Sequence, residues 1–136
     1  MTVAQSMPTA IERRWRENFI VTLKRVMELL ETEEDEDEYG ILKPTDYAFM
    51  TVMNLVLEAG SLMGSNFPRG SACPDDEGGI TITWTSQEPE RNLVLFCPCN
   101  REKRAYIFHR SSNEHSTEYE VSPSTLVNWL QWFKKA

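Results

Sequence analysis

Residues 72–97 read ACPDDEGGITITWTSQEPERNLVLFC, and the fold turns on how they are read. Within GITITWT, Ile80, Ile82 and Trp84 alternate with Thr81, Thr83 and Thr85. Successive side chains of a strand point to opposite faces, so this alternation predicts a half-buried strand with one apolar face and one threonine face. SQEPER then supplies a turn, and NLVLFC at 92–97 is a second strand. AYIFH at 105–109, after NREK, and STEYEV at 116–121, after RSSNE, continue the series. Short polar connections between successive strands imply antiparallel neighbours, hence a three- or four-stranded meander over about 79–121.

The acids and glycines that open the stretch read as the turn that starts this sheet. A phosphate-cradling loop follows a strand, carries a lysine and leads into a helix, whereas Gly78 and Gly79 precede a strand. Asp75, Asp76 and Glu77 can chelate a cation such as magnesium only with ligands from elsewhere in the fold. The preceding loop, SNFPRGSACPDDEGG, reads as an irregular crossing because of its proline and glycine content.

Two helices come before the sheet. TAIERRWRENFIVTLKRVMELLE opens with a capping-box pattern, Thr9 and Glu12, and repeats apolar residues at Ile11, Trp15, Phe19, Leu23, Val26 and Leu30. These fall on one stripe, with the i,i+4 pairs Arg13–Glu17 and Lys24–Glu28 on the solvent side. The second helix starts at KPTDYAF, where Thr45 can cap and Asp46 favours the positive helix end, and runs to about Met63. Apolar residues lie nearly all round it, which predicts a central helix packed on more than one side. A closing helix is expected from SPSTLVNWLQWF, with Ser122 as cap, Pro123 at the first position, and Leu126, Leu130 and Phe133 as its core stripe. The fold class is therefore α+β: two N-terminal helices, an antiparallel meander and a C-terminal helix.

The chain of 136 residues fits one domain, 1–136, and its 40% apolar and 26% charged residues are those of a globular protein. The net charge of −7 is local: ETEEDEDE at 31–38 holds seven acids, leaving 14 acids against 14 Lys and Arg elsewhere. Acids at a helix C-terminus oppose the macrodipole and repel one another, so 32–40 reads as an acidic flexible linker within the domain, with a salt-sensitive tether to a basic partner as the lesser reading. A balanced body lacks the basic stripe that nucleic-acid binding needs, so no nucleic-acid partner is expected. No apolar run approaches the roughly 18 residues of a membrane span, and the N-terminus lacks the order of a signal peptide. The expectation is a cytoplasmic protein with no membrane partner and with reduced Cys73, Cys97 and Cys99.

The loop with DEGGITITW, the strand with AYIF and the final SPSTLVNWLQWF helix together resemble a group of short, poorly characterised bacterial proteins, of cyanobacterial type, that bear a D-G-G-I-x-x-E-W motif. The resemblance covers roughly residues 66–133. Glu77 stands where the group has Asp, and Thr83 replaces its Glu before Trp84. The resemblance implies the strand assignment and a bacterial origin, and no particular reaction.

Two readings of function compete. Cys73, Cys97, Cys99, His109 and His115 include enough soft ligands for a zinc site or a thiol nucleophile, which would make a small metal-dependent or thiol enzyme. C-P-C leaves one residue between thiols where zinc knuckles use two to four, and no catalytic signature accompanies the cysteines. No catalytic, metal or cofactor-binding residue is assigned, and no cofactor is expected. The other reading rests on strands two and three, which are apolar on both faces: Val94, Phe96, Tyr106 and Phe108 on one, Leu93, Leu95, Ala105 and Ile107 on the other. If the helices cover a single face, the first four residues form a partner-binding patch beside a threonine ladder. The reading preferred is a non-enzymatic interaction or regulatory protein, a homodimer through this exposed sheet face or a small regulator that blocks a protein partner. Deleting residues 33–38 should leave the thermal midpoint nearly unchanged, because like charges repel and nothing apolar there can anchor them; a large drop in the melting curve would assign those acids specific contacts.

Overall fold

The computed structural model describes residues 10–31 and 43–135. The acidic linker expected at 32–40 and the Thr9–Glu12 capping box lie outside what it describes. Helix α1 spans Ala10–Glu28 and ends in a 3₁₀ turn, Leu29–Glu31; α2 spans Asp46–Met63 and is followed by a 3₁₀ turn, Gly64–Asn66. Five strands follow, β1 Ser71–Pro74, β2 Ile80–Gln87, β3 Glu90–Cys97, β4 Tyr106–Ser111 and β5 His115–Glu118, and α3 occupies Pro123–Lys134. The strands form one antiparallel sheet in the order β1-β2-β3-β4-β5.

The α+β class and the meander hold, and the strand count is five where three or four were expected. The extra strand, β1, lies in the stretch expected to be an irregular crossing and pairs with the first half of β2. Its sequence, SACP, has no apolar alternation and ends in proline, which is tolerated only because β1 is an edge strand. At the other edge β5 stops at Glu118, short of the expected Val121, and Val121 instead packs against the core.

The alternation in β2 and β3 sorts side chains as the pleat requires. Ile80, Ile82, Trp84, Leu93, Leu95, Cys97 and Ile107 are fully buried on one face, beneath Val26 of α1, Val52 and Val56 of α2, and Leu126 and Leu130 of α3. Helix α2 does sit between its neighbours, touching α1 and α3 as well as β2 and β3. Its far side is open, however, with Met50 55% and Leu62 65% exposed, so its all-round apolar character does not mean all-round burial.

Polar contacts fix where each helix lands. Thr45 caps α2, its hydroxyl accepting from Ala48 N at 3.1 Å and donating to the Cys99 carbonyl at 2.7 Å. Thr45 N also donates to the Gly78 carbonyl at 2.9 Å, so the α2 N-terminus is joined to both the β1–β2 and β3–β4 connections. For α1, the Thr22 hydroxyl accepts from Gly70 N at 2.9 Å, and Arg25 Nη1 donates to the Gly70 carbonyl at 2.8 Å. Gly70 is required there, since a Cβ would lie 2.8 Å from Trp84 Nε1. That indole nitrogen donates to the Pro68 carbonyl at 3.1 Å, and its ring meets Phe67 edge-on, which in turn meets Phe19 of α1. Ser122 caps α3 in a capping box closed by Thr125, with Pro123 at the start of the helix as expected.

Gly60 lies inside α2 where it faces the Phe19 ring, and a Cβ there would overlap ring atoms. Alanine normally stabilises a helix interior over glycine by about 1 kcal/mol. Here Gly60→Ala should instead destabilise the protein by about 1–3 kcal/mol through overpacking. Urea unfolding gives the sign directly, and a gain in stability would mean that α1 yields at this contact.

Candidate functional site

With all three helices on one side, no described helix covers the opposite face of the sheet, and strand register decides what it displays. Val94 pairs with Phe108 and Phe96 with Tyr106 across β3 and β4. Directly opposed residues share a face, and these four alternate with the buried Leu93, Leu95 and Ile107. All four side chains are half-buried, and the Phe96 and Tyr106 rings stack at 5.0 Å between centroids. Tyr119, 52% exposed just past β5, meets Tyr106 edge-on at 6.3 Å.

The patch is apolar at its centre and polar around it. One row runs Ser71, Thr83, Val94, Phe108, Thr117, and the next runs Cys73, Thr81, Phe96, Tyr106. At one end of the face, Thr85, Asn92, Arg110 and His115 form a polar row, with Arg110 3.9 Å from Glu90. At the other, the Arg104 guanidinium lies 4.7 Å from the centre of the Tyr119 ring. Val94, Phe96, Tyr106 and Phe108, named from sequence as a partner face, are therefore brought together as one contiguous group.

The thiols and imidazoles are not. Cys73 is exposed on the open face, Cys97 is buried on the opposite face, and Cys99 lies in the β3–β4 connection. His115 is on the open face beside Phe108, whereas His109 points into the core side. Among the described residues, no group of three or more His, Cys, Asp or Glu side chains is placed to hold a metal ion. Burial pushes the Cys97 thiol up to about 12, so it is a packed, protonated side chain and a poor nucleophile. The acids of the opening stretch form a turn: Asp75 Oδ1 accepts from Glu77 N and Gly79 N at 2.8 Å each, Gly78 adopts φ +93°, and Glu77 pairs with Lys103. With Asp75 committed to backbone amides and Glu77 to a lysine, these residues build a hairpin, as the sequence reading favoured.

A second cluster escaped the sequence reading. His109 is 5% exposed, stacked on the Trp129 indole of α3 at 4.0 Å and edge-on to Trp132 at 5.1 Å. Arg91 donates to the Trp132 carbonyl, and its guanidinium lies 4.9 Å from the centre of that indole. The signal was present, because His109 continues the parity of Ile107 and so belongs to the core face; its type drew attention to metal chemistry instead.

The fold and the open face define an α+β protein whose five-stranded antiparallel sheet carries helices on one side only. The chain matches no protein-family model, no curated protein and no solved structure. No helix among the described residues is long and apolar enough to cross a membrane.

Exposure and burial set an order of thiol reactivity. In native buffer, a disulfide-exchange reagent should modify Cys73 readily and leave Cys97 untouched until denaturant is added. Mass mapping of the modified peptides tests this order, and early labelling of Cys97 would contradict its burial.

Proposed function

We propose that this chain is a non-enzymatic interaction protein that works through its open sheet face, and that the simplest assembly is a two-fold homodimer in which the same patch serves both subunits. The observation that carries this reading is the pair of cross-strand contacts, Val94 with Phe108 and Phe96 with Tyr106, set at the middle of an uncovered sheet. An apolar, aromatic centre within a ring of threonine, asparagine and arginine has the anatomy of a protein interface. The separation of Cys73, Cys97, Cys99, His109 and His115 onto different faces and connections supports the same choice over a metal or thiol enzyme.

Magnitudes favour a reversible pair over a permanent one. A ring moved fully out of water contributes on the order of 2 kcal/mol, and these rings begin half-buried. Set against the entropy of association, the surplus corresponds to roughly micromolar affinity.

Replacing Phe96 and Phe108 together by serine should abolish association while leaving the monomer folded, because neither ring belongs to the fully buried core. Sedimentation equilibrium over a concentration series reads the first effect and circular dichroism the second. Cys73 lies in the same row as Phe96, so its modification should slow as wild-type protein is concentrated. A wild-type chain that sediments as a monomer throughout, with a double variant that unfolds, would assign these rings to the core and remove the proposal.

A further inference from the structure

The His109 cluster is separate from the open face, and its geometry is that of a buried ionisable group clamped beneath a terminal helix. The imidazole lies nearly parallel to the Trp129 indole, 21° between planes, and forms the platform on which that stretch of α3 rests. Its Nε2 is 3.9 Å from Glu114 Oε1, and its Nδ1 is buried with no hydrogen-bond partner among the described residues. The helix has buried anchors at Leu126 and Leu130, while Trp129, Trp132 and Phe133 remain half-buried. Beyond Leu130 and the Phe133 side chain packed against the core, its last turns are held by the ring contacts and by Arg91 donating to the Trp132 carbonyl.

We propose that His109 is a proton-sensitive latch for the C-terminal half of α3: the neutral imidazole holds the helix on the sheet, and protonation loosens that end while the rest of the core stays closed. A tautomer with its hydrogen on Nε2, facing Glu114, leaves Nδ1 a bare acceptor. Protonation adds a hydrogen at Nδ1, where nothing receives it, and removes a full charge from water. Glu114 and His115 act on the ring electrostatically, and Arg91 and Lys134 lie on the elements packed against it. Glu114, from the β4–β5 connection, favours the charged form, but its side chain is 63% exposed and its attraction is screened. Arg91 of β3 lies on the same face of the sheet, and His115 of β5 opposes a second positive charge. Helix α3 carries no carboxylate to offset these; it offers the indoles of Trp129 and Trp132, with Lys134 in its last turn. Desolvation by burial is the largest influence on His109, ahead of Glu114, and the imidazole is held below its ordinary range.

The sign follows by linkage. The opened state, with an ordinary imidazole near roughly 6.5, binds more protons than the closed state. The latch is therefore at full strength above that pH, weakens as pH falls through it, and levels off below the lowered folded value. Hydrogen exchange on the wild-type protein between about pH 7.5 and 5 tests this directly. Protection factors for α3 amides should fall by up to about tenfold per pH unit below roughly 6.5, with those of β2 and β3 unchanged. In His109→Phe, which keeps the stack and cannot titrate, α3 protection should be independent of pH. The proposal is overturned if α3 follows the rest of the molecule, or if the phenylalanine variant shows the same fall. Should that variant not fold, an NMR titration of the wild-type imidazole decides the matter: titration below the ordinary range supports the latch, and titration at or above it removes it.

Discussion

The connections inside the sheet are too short to carry helices, and the architecture depends on that constraint. The chain crosses from β2 to β3 through Glu88 and Pro89 alone, and from β4 to β5 through residues 112–114; even the longest break, 98–105, holds no helix. A meander built this way has no segment that can be laid over its second face, since crossover helices need a dozen residues or more. All helical mass must come from before β1 and after β5. It collects where Ile80, Ile82, Trp84, Leu93, Leu95 and Ile107 gain most by leaving water. A second face that no described helix covers, with its aromatic pairs, is the direct result.

Burial drives the helices onto the sheet, but it does not by itself say where along the strands they stop. Each helix has a polar or aromatic register mark. For α2 it is Thr45, for α1 it is Gly70 between Thr22 and Arg25, and for α3 it is His109 against Trp129 with Arg91 at the last turn. Hydrogen bonds of this kind contribute only about 1 kcal/mol each net, yet a shifted register would leave their donors and acceptors unpaired. Specificity of docking and strength of docking thus reside in different residues.

Much of this was legible in the sequence, for reasons that particular residues make clear. Ile80, Ile82 and Trp84 announce a strand because period two admits no helical reading, and the parity of NLVLFC and of Tyr106, Ile107 and Phe108 sorts both faces, whereas Ala105, expected on the core face, precedes β4 and is half-buried. Ser122 with Pro123, and Thr45 before Asp46, mark helix starts by the chemistry of orphan amides. Strand β1 was not legible: SACP carries no pattern, and its conformation comes from pairing with β2 rather than from local preference. The open side of α2 was hidden for the opposite reason, since Met50, Leu57 and Leu62 repeat the apolar character of the buried side and nothing local says which side lacks a neighbour. The scatter of the three cysteines became visible only through register, because Cys73 is placed by a strand that the pattern does not show.

The Thr45 junction has a consequence for the order in which the molecule assembles. Its hydroxyl reaches the Cys99 carbonyl across 54 positions of chain, and its amide reaches Gly78 in a different connection. The cap on Ala48 N is local to α2, but the two outward hydrogen bonds of Thr45 form only once both sheet connections are in place. Contacts between residues so distant in sequence carry the loop-closure entropy that slows folding. Helix and sheet are thereby tied into one cooperative unit, and the α2 N-terminus gains its final structure only when the β-topology has formed.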